Sequence, residues 1–128
     1  MRVLLDTCTL IWATLSPSTL SREAQKTIAD ERNVILVSAA SAWEIATKVR
    51  TGKLPGAEKL ERDYLEVMEE AGYTQLAIDT ESALRAGRLV AGHRDPFDRM
   101  IAAQALGLDI PVLSPDPLLD QFGVRRMW

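Results

Sequence analysis

Cysteine and histidine are almost absent from this 128-residue chain, which has one of each, Cys8 and His93. A lone thiol makes no internal disulfide and no multi-cysteine zinc site, and this fits a reducing compartment. Long apolar runs are missing as well. No stretch approaches the roughly 18 residues of a membrane helix. The opening run Val3-Leu4-Leu5 is cut short by Asp6, before it becomes the apolar centre of a signal peptide. These absences predict a soluble, cytoplasmic protein with no membrane partner. Excess positive charge is lacking too. At a net charge of −3, nucleic acid would have to be met by local basic clusters, not by the surface as a whole. No glycine-rich phosphate loop follows the first apolar run, where Asp6-Thr7-Cys8-Thr9 stands instead, so dinucleotide-binding and P-loop chemistries are set aside.

The residues that are present describe a globular protein. With 47% apolar and 26% charged residues, the chain has the composition of an ordinary folded domain, and its length predicts a single domain over 1–128 with no linker. Buried strands are expected at Arg2–Asp6, at Val34-Ile35-Leu36-Val37, at Leu76-Ala77-Ile78 and at Val112-Leu113, with a fifth at the edge over 124–127. Helices are expected between them. One passes through Leu10, Ile11 and Trp12 and is broken at Ser16-Pro17-Ser18. A second runs from Ser21 to about Glu31, and a third is capped by Ser38 or Ser41 and stops at Thr51-Gly52. Further helices are predicted over Glu58–Ala71, from Asp79 through Ala86, and from Asp95-Pro96 through Ala105. Strands alternating with helices predict an α/β fold, with a central, mainly parallel sheet of four to five strands.

That layout gathers acids. Asp6 ends the first strand, and Asp116 follows the fourth in Leu113-Ser114-Pro115-Asp116. Helices entered from the same sheet edge put Glu44 and Asp98 in early turns nearby, and ligand sites of open parallel sheets lie at that edge. Two carboxylates ~4 Å apart repel by roughly 4 kcal/mol at an effective dielectric of 20. Such a group therefore takes up a proton or a cation. An all-oxygen set favours a hard ion, Mg²⁺ or Mn²⁺, which activates water and stabilises charge on a phosphodiester. Taken singly, each acid has a plainer role. Asp6 can simply end a strand, and Asp116 can sit in a turn between its prolines. Ser41-Ala42-Trp43-Glu44 matches a capping box, and Asp95-Pro96-Phe97-Asp98 is a good helix start. Asp98, however, shares a helix side with Ile101, Ala102 and Ala105, the side that should face the sheet.

Beyond the acids, whole segments resemble a known family. Leu4-Leu5-Asp6-Thr7, Ser41-Ala42-Trp43-Glu44-Ile45-Ala46-Thr47-Lys48, Gly52-Lys53-Leu54, His93-Arg94-Asp95-Pro96-Phe97-Asp98-Arg99, Leu113-Ser114-Pro115-Asp116 and the ending Gly123-Val124-Arg125-Arg126-Met127-Trp128 resemble, in order, the PIN-domain toxins of the VapC type. The resemblance implies a three-layer α/β/α fold with a Mg²⁺- or Mn²⁺-dependent endoribonuclease site at Asp6, Glu44, Asp98 and Asp116. Thr7 and Ser114 match small hydroxyl positions that orient acids or waters. It further implies an RNA substrate, a homodimer, and a cognate VapB-like antitoxin whose tail enters the acidic cleft.

Other residues receive more modest expectations. Asp95 is assigned to capping, His93 to a solvent-facing loop position, and Cys8 to a small buried apolar role. Arg94 and Arg99 flank the acids and are expected to contact phosphate or an antitoxin acid, Arg99 as a substrate-orienting residue. Lys48, Arg50 and Lys53 either track an RNA backbone or form a solvated helix face. Trp12, Trp43 and Trp128 are expected in the core or at a dimer contact. Competing functions remain open at this level: an RNA- or protein-binding module without turnover, or cleavage of DNA or single strands in general. An aspartyl-nucleophile phosphatase ranks well behind, because such enzymes usually carry a second acid two residues on, where this chain has Cys8.

Overall fold

The computed structural model describes residues 1–128. Its centre is a five-stranded, wholly parallel sheet of order β3-β2-β1-β4-β5. The strands are β1 (Arg2–Leu5), β2 (Val34–Ser38), β3 (Thr74–Leu76), β4 (Val112–Leu113) and β5 (Arg126–Met127). Because β1 and β2 are covered on both faces, Val3–Leu5 and Val34–Val37 are apolar without interruption, and alternate side chains feed two cores. Val3, Leu5, Ile35, Val37 and Leu113 pack on one face with Leu10, Ala24, Ile45, Leu60 and Met68. Leu4, Leu36 and Val112 pack on the other with Ile101, Ala102, Ala105, Leu119 and Phe122. The outcome is the expected three-layer α/β/α arrangement.

Seven helices form the outer layers: α1 (Thr7–Leu15), α2 (Arg22–Ala29), α3 (Ala39–Arg50), α4 (Glu58–Arg62), α5 (Tyr64–Ala71), α6 (Thr80–Arg88) and α7 (Pro96–Leu108). Side-chain caps fix most of the starts. Asp6, Ser21, Ser38, Asp79 and Asp95 each accept a backbone N–H from the first turn of the helix that follows. Gly52, at φ 73°, follows α3 as its sequence position suggested.

Three element boundaries differ from expectation. The helix foreseen over Glu58–Ala71 breaks at Asp63 into α4 and α5. A straight helix would turn Met68 about 80° away from Leu60 over eight residues, and the break lets both reach full burial in one core. β3 lies at Thr74–Leu76, ahead of the apolar Leu76-Ala77-Ile78, because its pairing with β2 aligns Thr74 with Leu36 and Leu76 with Ser38. An edge strand with an exposed face needs no continuous apolar run. Finally, α2 ends at Ala29, where Asp30 turns extended and Asn33 closes the chain back onto the Asp30 carbonyl.

One buried polar network ties the layers together. Gln104 of α7 is 2% exposed, accepts a hydrogen bond from Ser38 Oγ at 2.5 Å and donates one to the Ala77 carbonyl at 3.1 Å. Ser38 Oγ in turn caps α3 by accepting from Ala40 N. Replacing Gln104 by Leu leaves the buried Ser38 hydroxyl without its acceptor, at an expected cost of about 1–3 kcal/mol. The measurement is a urea unfolding curve, which should show a lower midpoint at an unchanged slope. Equal midpoints would show that the network adds nothing to stability.

Candidate metal centre

The strand order reverses at β1, whose neighbours β2 and β4 leave in opposite directions, and the crevice at the carboxyl ends of β1 and β4 is where this architecture binds ligands. Asp6 is the first residue beyond β1, and Ser114 and Asp116 follow β4. A cleft of about 350 Å³ opens there, lined by Asp6, Glu44, Asp95, Asp98 and Asp116 together with Lys48, Thr7, Cys8 and an apolar flank of Ile11, Trp12, Leu54 and Pro115. All four acids expected at the site thus line one cleft.

Each acid is held by its own partners. Asp6 is 4% exposed; its Oδ1 accepts the Thr9 N–H at 2.8 Å and its Oδ2 accepts the Ser114 hydroxyl. Burial raises its pKa above the ordinary carboxylate value, the Ser114 and Thr9 hydrogen bonds oppose that rise, and the Asp116 charge adds to it. Ser114 Oγ also accepts the Asp116 N–H at 3.0 Å, so one hydroxyl links two of the acids. Asp116 caps a 3₁₀ turn over Pro117–Phe122 through Leu118 N.

Glu44 sits in the second turn of α3, 5% exposed. Its Oε2 accepts from Lys48 Nζ at 2.5 Å, whereas Oε1 is buried and has no hydrogen-bond partner. The capping box at Ser41–Glu44 is not formed, since Ser38 caps α3 and Ser41 Oγ instead hydrogen-bonds Thr7 Oγ1 at 2.9 Å. Thr7 thereby joins α1 to α3 and does not contact an acid. Lys48 belongs to the cleft as the partner of Glu44, and Glu44 holds its ammonium pKa above the usual value.

Asp98 is half-buried, on the side of α7 that carries Ile101, Ala102 and Ala105. Burial pushes its pKa up to about 6, against the His93 hydrogen bond and with the help of the Asp95 charge. Asp95 behaves as a cap, accepting from Phe97 N and Asp98 N. The spacing of α3 and α7 is set beside the acids: Trp43 and Phe97, the residues preceding Glu44 and Asp98, meet edge-to-face at 4.9 Å.

Three expectations need correcting. His93 does not face solvent; its Nε2 lies 2.7 Å from Asp98 Oδ2, and the closest set of possible metal-ligating atoms is His93, Asp98 and Asp116, all within 4.8 Å of one another. The available signal was position: the chain's only histidine stands five residues before a motif acid, just outside a capped helix start. Arg99 does not line the acidic cleft. Its guanidinium is spent on the carbonyls of Ala86, Leu89 and His93 and lies over the Phe122 ring, pinning the loop that carries His93. Cys8 is exposed at the cleft and not sealed in the core, though partial desolvation by the cleft wall, with the charges of Asp6 and Glu44, still pushes its thiol up to about 11. Of the tryptophans, Trp12 and Trp128 pack on each other at 6.0 Å against the core, and Trp43 is 61% exposed, which leaves a dimer contact as the remaining one of its two expected places.

A carboxyl whose folded pKa lies above its unfolded value favours folding most when protonated. That contribution is complete below about pH 4 and is lost as the pH rises through about 6. Asp98→Asn should therefore stabilise the metal-free protein above pH 7 by on the order of 1 kcal/mol, after allowance for solvent screening. Unfolding curves in EDTA would show this gain fading toward pH 4; a gain independent of pH would refute the assigned strain.

Comparison with known proteins supports this architecture. The model of the PIN domain family matches residues 3–124. The protein named ribonuclease VapC16, from Mycobacterium tuberculosis, is 44% identical over 57 residues; the match spans 44% of this chain and 40% of that relative's length, so less than half of either. Among solved structures, VapBC2 from Rickettsia felis, bound to a DNA fragment from its promoter, superposes with a TM-score of 0.75 at 12% identity, covering 99% of this chain and 98% of that one. VapBC-1 from nontypeable Haemophilus influenzae gives 0.68 at 16% identity, covering 99% and 97%. At these identities the structural likeness is one of fold. With its family model matched over nearly the whole length, the chain belongs to the PIN domain family.

Proposed function

We propose that this protein is a divalent-metal-dependent endoribonuclease, the toxin of a VapBC-type toxin–antitoxin pair, with Asp6, Glu44, Asp98 and Asp116 holding Mg²⁺ or Mn²⁺. The observation that carries the proposal is Glu44 Oε1. A buried carboxylate oxygen without a partner is costly, and here it belongs to a cleft lined by four further acids, Asp6, Asp95, Asp98 and Asp116. A hard cation satisfies that oxygen and offsets the burial, and with it the neighbouring charges, that raise the pKa values of Asp6 and Asp98. When bound, such an ion supplies Lewis-acid chemistry suited to phosphodiester hydrolysis.

The chain's own groups prepare the site. Ser114 and the Thr9 N–H fix both oxygens of Asp6, so it presents one geometry to a ligand. Lys48 neutralises one oxygen of Glu44 and leaves the other free. Ile11, Trp12, Leu54 and Pro115 give the cleft an apolar flank against which nucleobases can lie. RNA as substrate follows the resemblance to VapC-type toxins and the printed name of the Mycobacterium tuberculosis relative. A VapB-like antitoxin and a homodimer are the partners inferred from the same likeness. An apolar groove of about 220 Å³ on α3, α6 and α7, lined by Trp43, Ile78, Phe97 and Met100, supports a protein partner. The cytoplasm, where cellular RNA is met, is the inferred location; no helix is long and apolar enough to cross a membrane.

The test is cleavage of a cellular RNA pool by purified, antitoxin-free protein with Mg²⁺ or Mn²⁺, and again with EDTA. Discrete, metal-requiring fragments are expected, reduced roughly 100-fold or more in Asp6→Asn and Asp98→Asn. Folded protein that binds RNA without cutting it would favour a binding module instead.

A further inference from the structure

We infer that His93 is a nitrogen donor to the cation in this cleft and shifts the site's preference from Mg²⁺ toward Mn²⁺. The inference rests on the cleft being a divalent-metal site and adds a fifth donor, of a different kind, to its four acids. His93 Nε2 stands 2.7 Å from Asp98 Oδ2, and donor atoms of His93, Asp98 and Asp116 all lie within 4.8 Å of one another. Ligands at ~2.1 Å around an octahedral ion are roughly 3 Å apart when adjacent and about 4.2 Å apart when opposite. The three donors therefore lie within a few tenths of an ångström of the spacing a shared ion needs. Glu44 Oε1, buried and without a partner on the same cleft, is an independent sign that a ligand belongs there.

The imidazole is held in place from behind. Arg99 Nη1 donates to the His93 carbonyl at 3.1 Å, and the ring packs on Phe122 with centroids 5.9 Å apart. Its side chain is 16% exposed, so little freedom remains to be lost when it coordinates. In the metal-free protein a hydrogen bond joins Nε2 to Asp98; coordination would replace that bond, with each atom offering the cation one lone pair. Mg²⁺ has little affinity for nitrogen donors, whereas first-row transition ions accept imidazole readily. One nitrogen among carboxylates therefore biases the choice of ion without excluding either.

The single histidine makes the test unambiguous, because any imidazole coupling to bound Mn²⁺ in tag-free protein can come only from His93. Pulsed electron paramagnetic resonance of the Mn²⁺-loaded wild type should show nitrogen modulation that changes on ¹⁵N-histidine labelling. In competition titrations, His93→Gln should weaken Mn²⁺ roughly 10-fold relative to Mg²⁺. Mn²⁺ that binds, and is lost in Asp6→Asn, but shows no nitrogen modulation would overturn the role of His93 while leaving the metal cleft intact. No Mn²⁺ binding by folded wild type would overturn both. Should His93→Gln fail to fold, the labelled wild-type spectrum decides alone.

Discussion

Asp6 is a buried carboxylate at the reversal point of the sheet, and the arrangement around it depends on keeping that group in place. Removal from water disfavours its charge. The protein answers with hydrogen bonds from both chain directions: the Thr9 N–H at the start of α1 and the Ser114 hydroxyl beyond β4. Thr9 Oγ1 also donates to the Leu113 carbonyl, and Asp6 N donates to the same oxygen. The carboxylate, the end of β1 and the end of β4 are thus one bonded unit. Asp116 joins it through Ser114, so a 110-residue separation in sequence becomes a hydrogen-bond relay.

The opposite wall is assembled differently. Glu44 and Asp98 sit on α3 and α7, and no hydrogen bond joins the two acids. The residues preceding them, Trp43 and Phe97, make an edge-to-face contact, and the Gln104–Ser38 bond anchors the start of α3 to α7 further along. Packing and a neutral network bring two anions together at a distance where their charges alone would part them. This gives Gln104 and Trp43 a bearing on the site that neither residue's chemistry announces. It also explains why Arg99, though it follows a motif acid, serves the scaffold: the carbonyls of Ala86 and Leu89 at the end of α6 and of His93 in the loop beyond need donors, and a guanidinium supplies them together.

Much of this was legible beforehand. Uninterrupted apolar runs such as Val3-Leu4-Leu5 and Val34-Ile35-Leu36-Val37 occur where a strand is buried on both faces, and β-branched content identifies the second as a strand. Capping chemistry is local, so Ser21, Asp79 and Asp95 marked their helix starts correctly. The convergence of Asp6, Glu44, Asp98 and Asp116 followed from topology, because strand ends and the helices they feed share one sheet edge. Less legible were boundaries decided by partners. The break at Asp63 and the register of β3 answer to the core beneath Leu60 and Met68 and to the ladder of β2.

By itself, then, the sequence determined the alternation of strand and helix, the parallel sheet, and the edge at which the acids gather. Those depend on periodicity, caps and the order of elements, all of which are short-range properties. Only the tertiary structure decided which partner each polar group takes. It gave Thr7 to Ser41, Lys48 to Glu44, Arg99 to a loop backbone and His93 to Asp98, and it left Glu44 Oε1 with none. The reason is physical: a donor's choice is set by distances across the fold and by what else is buried within reach, and neither is written in the spacing of residues along the chain.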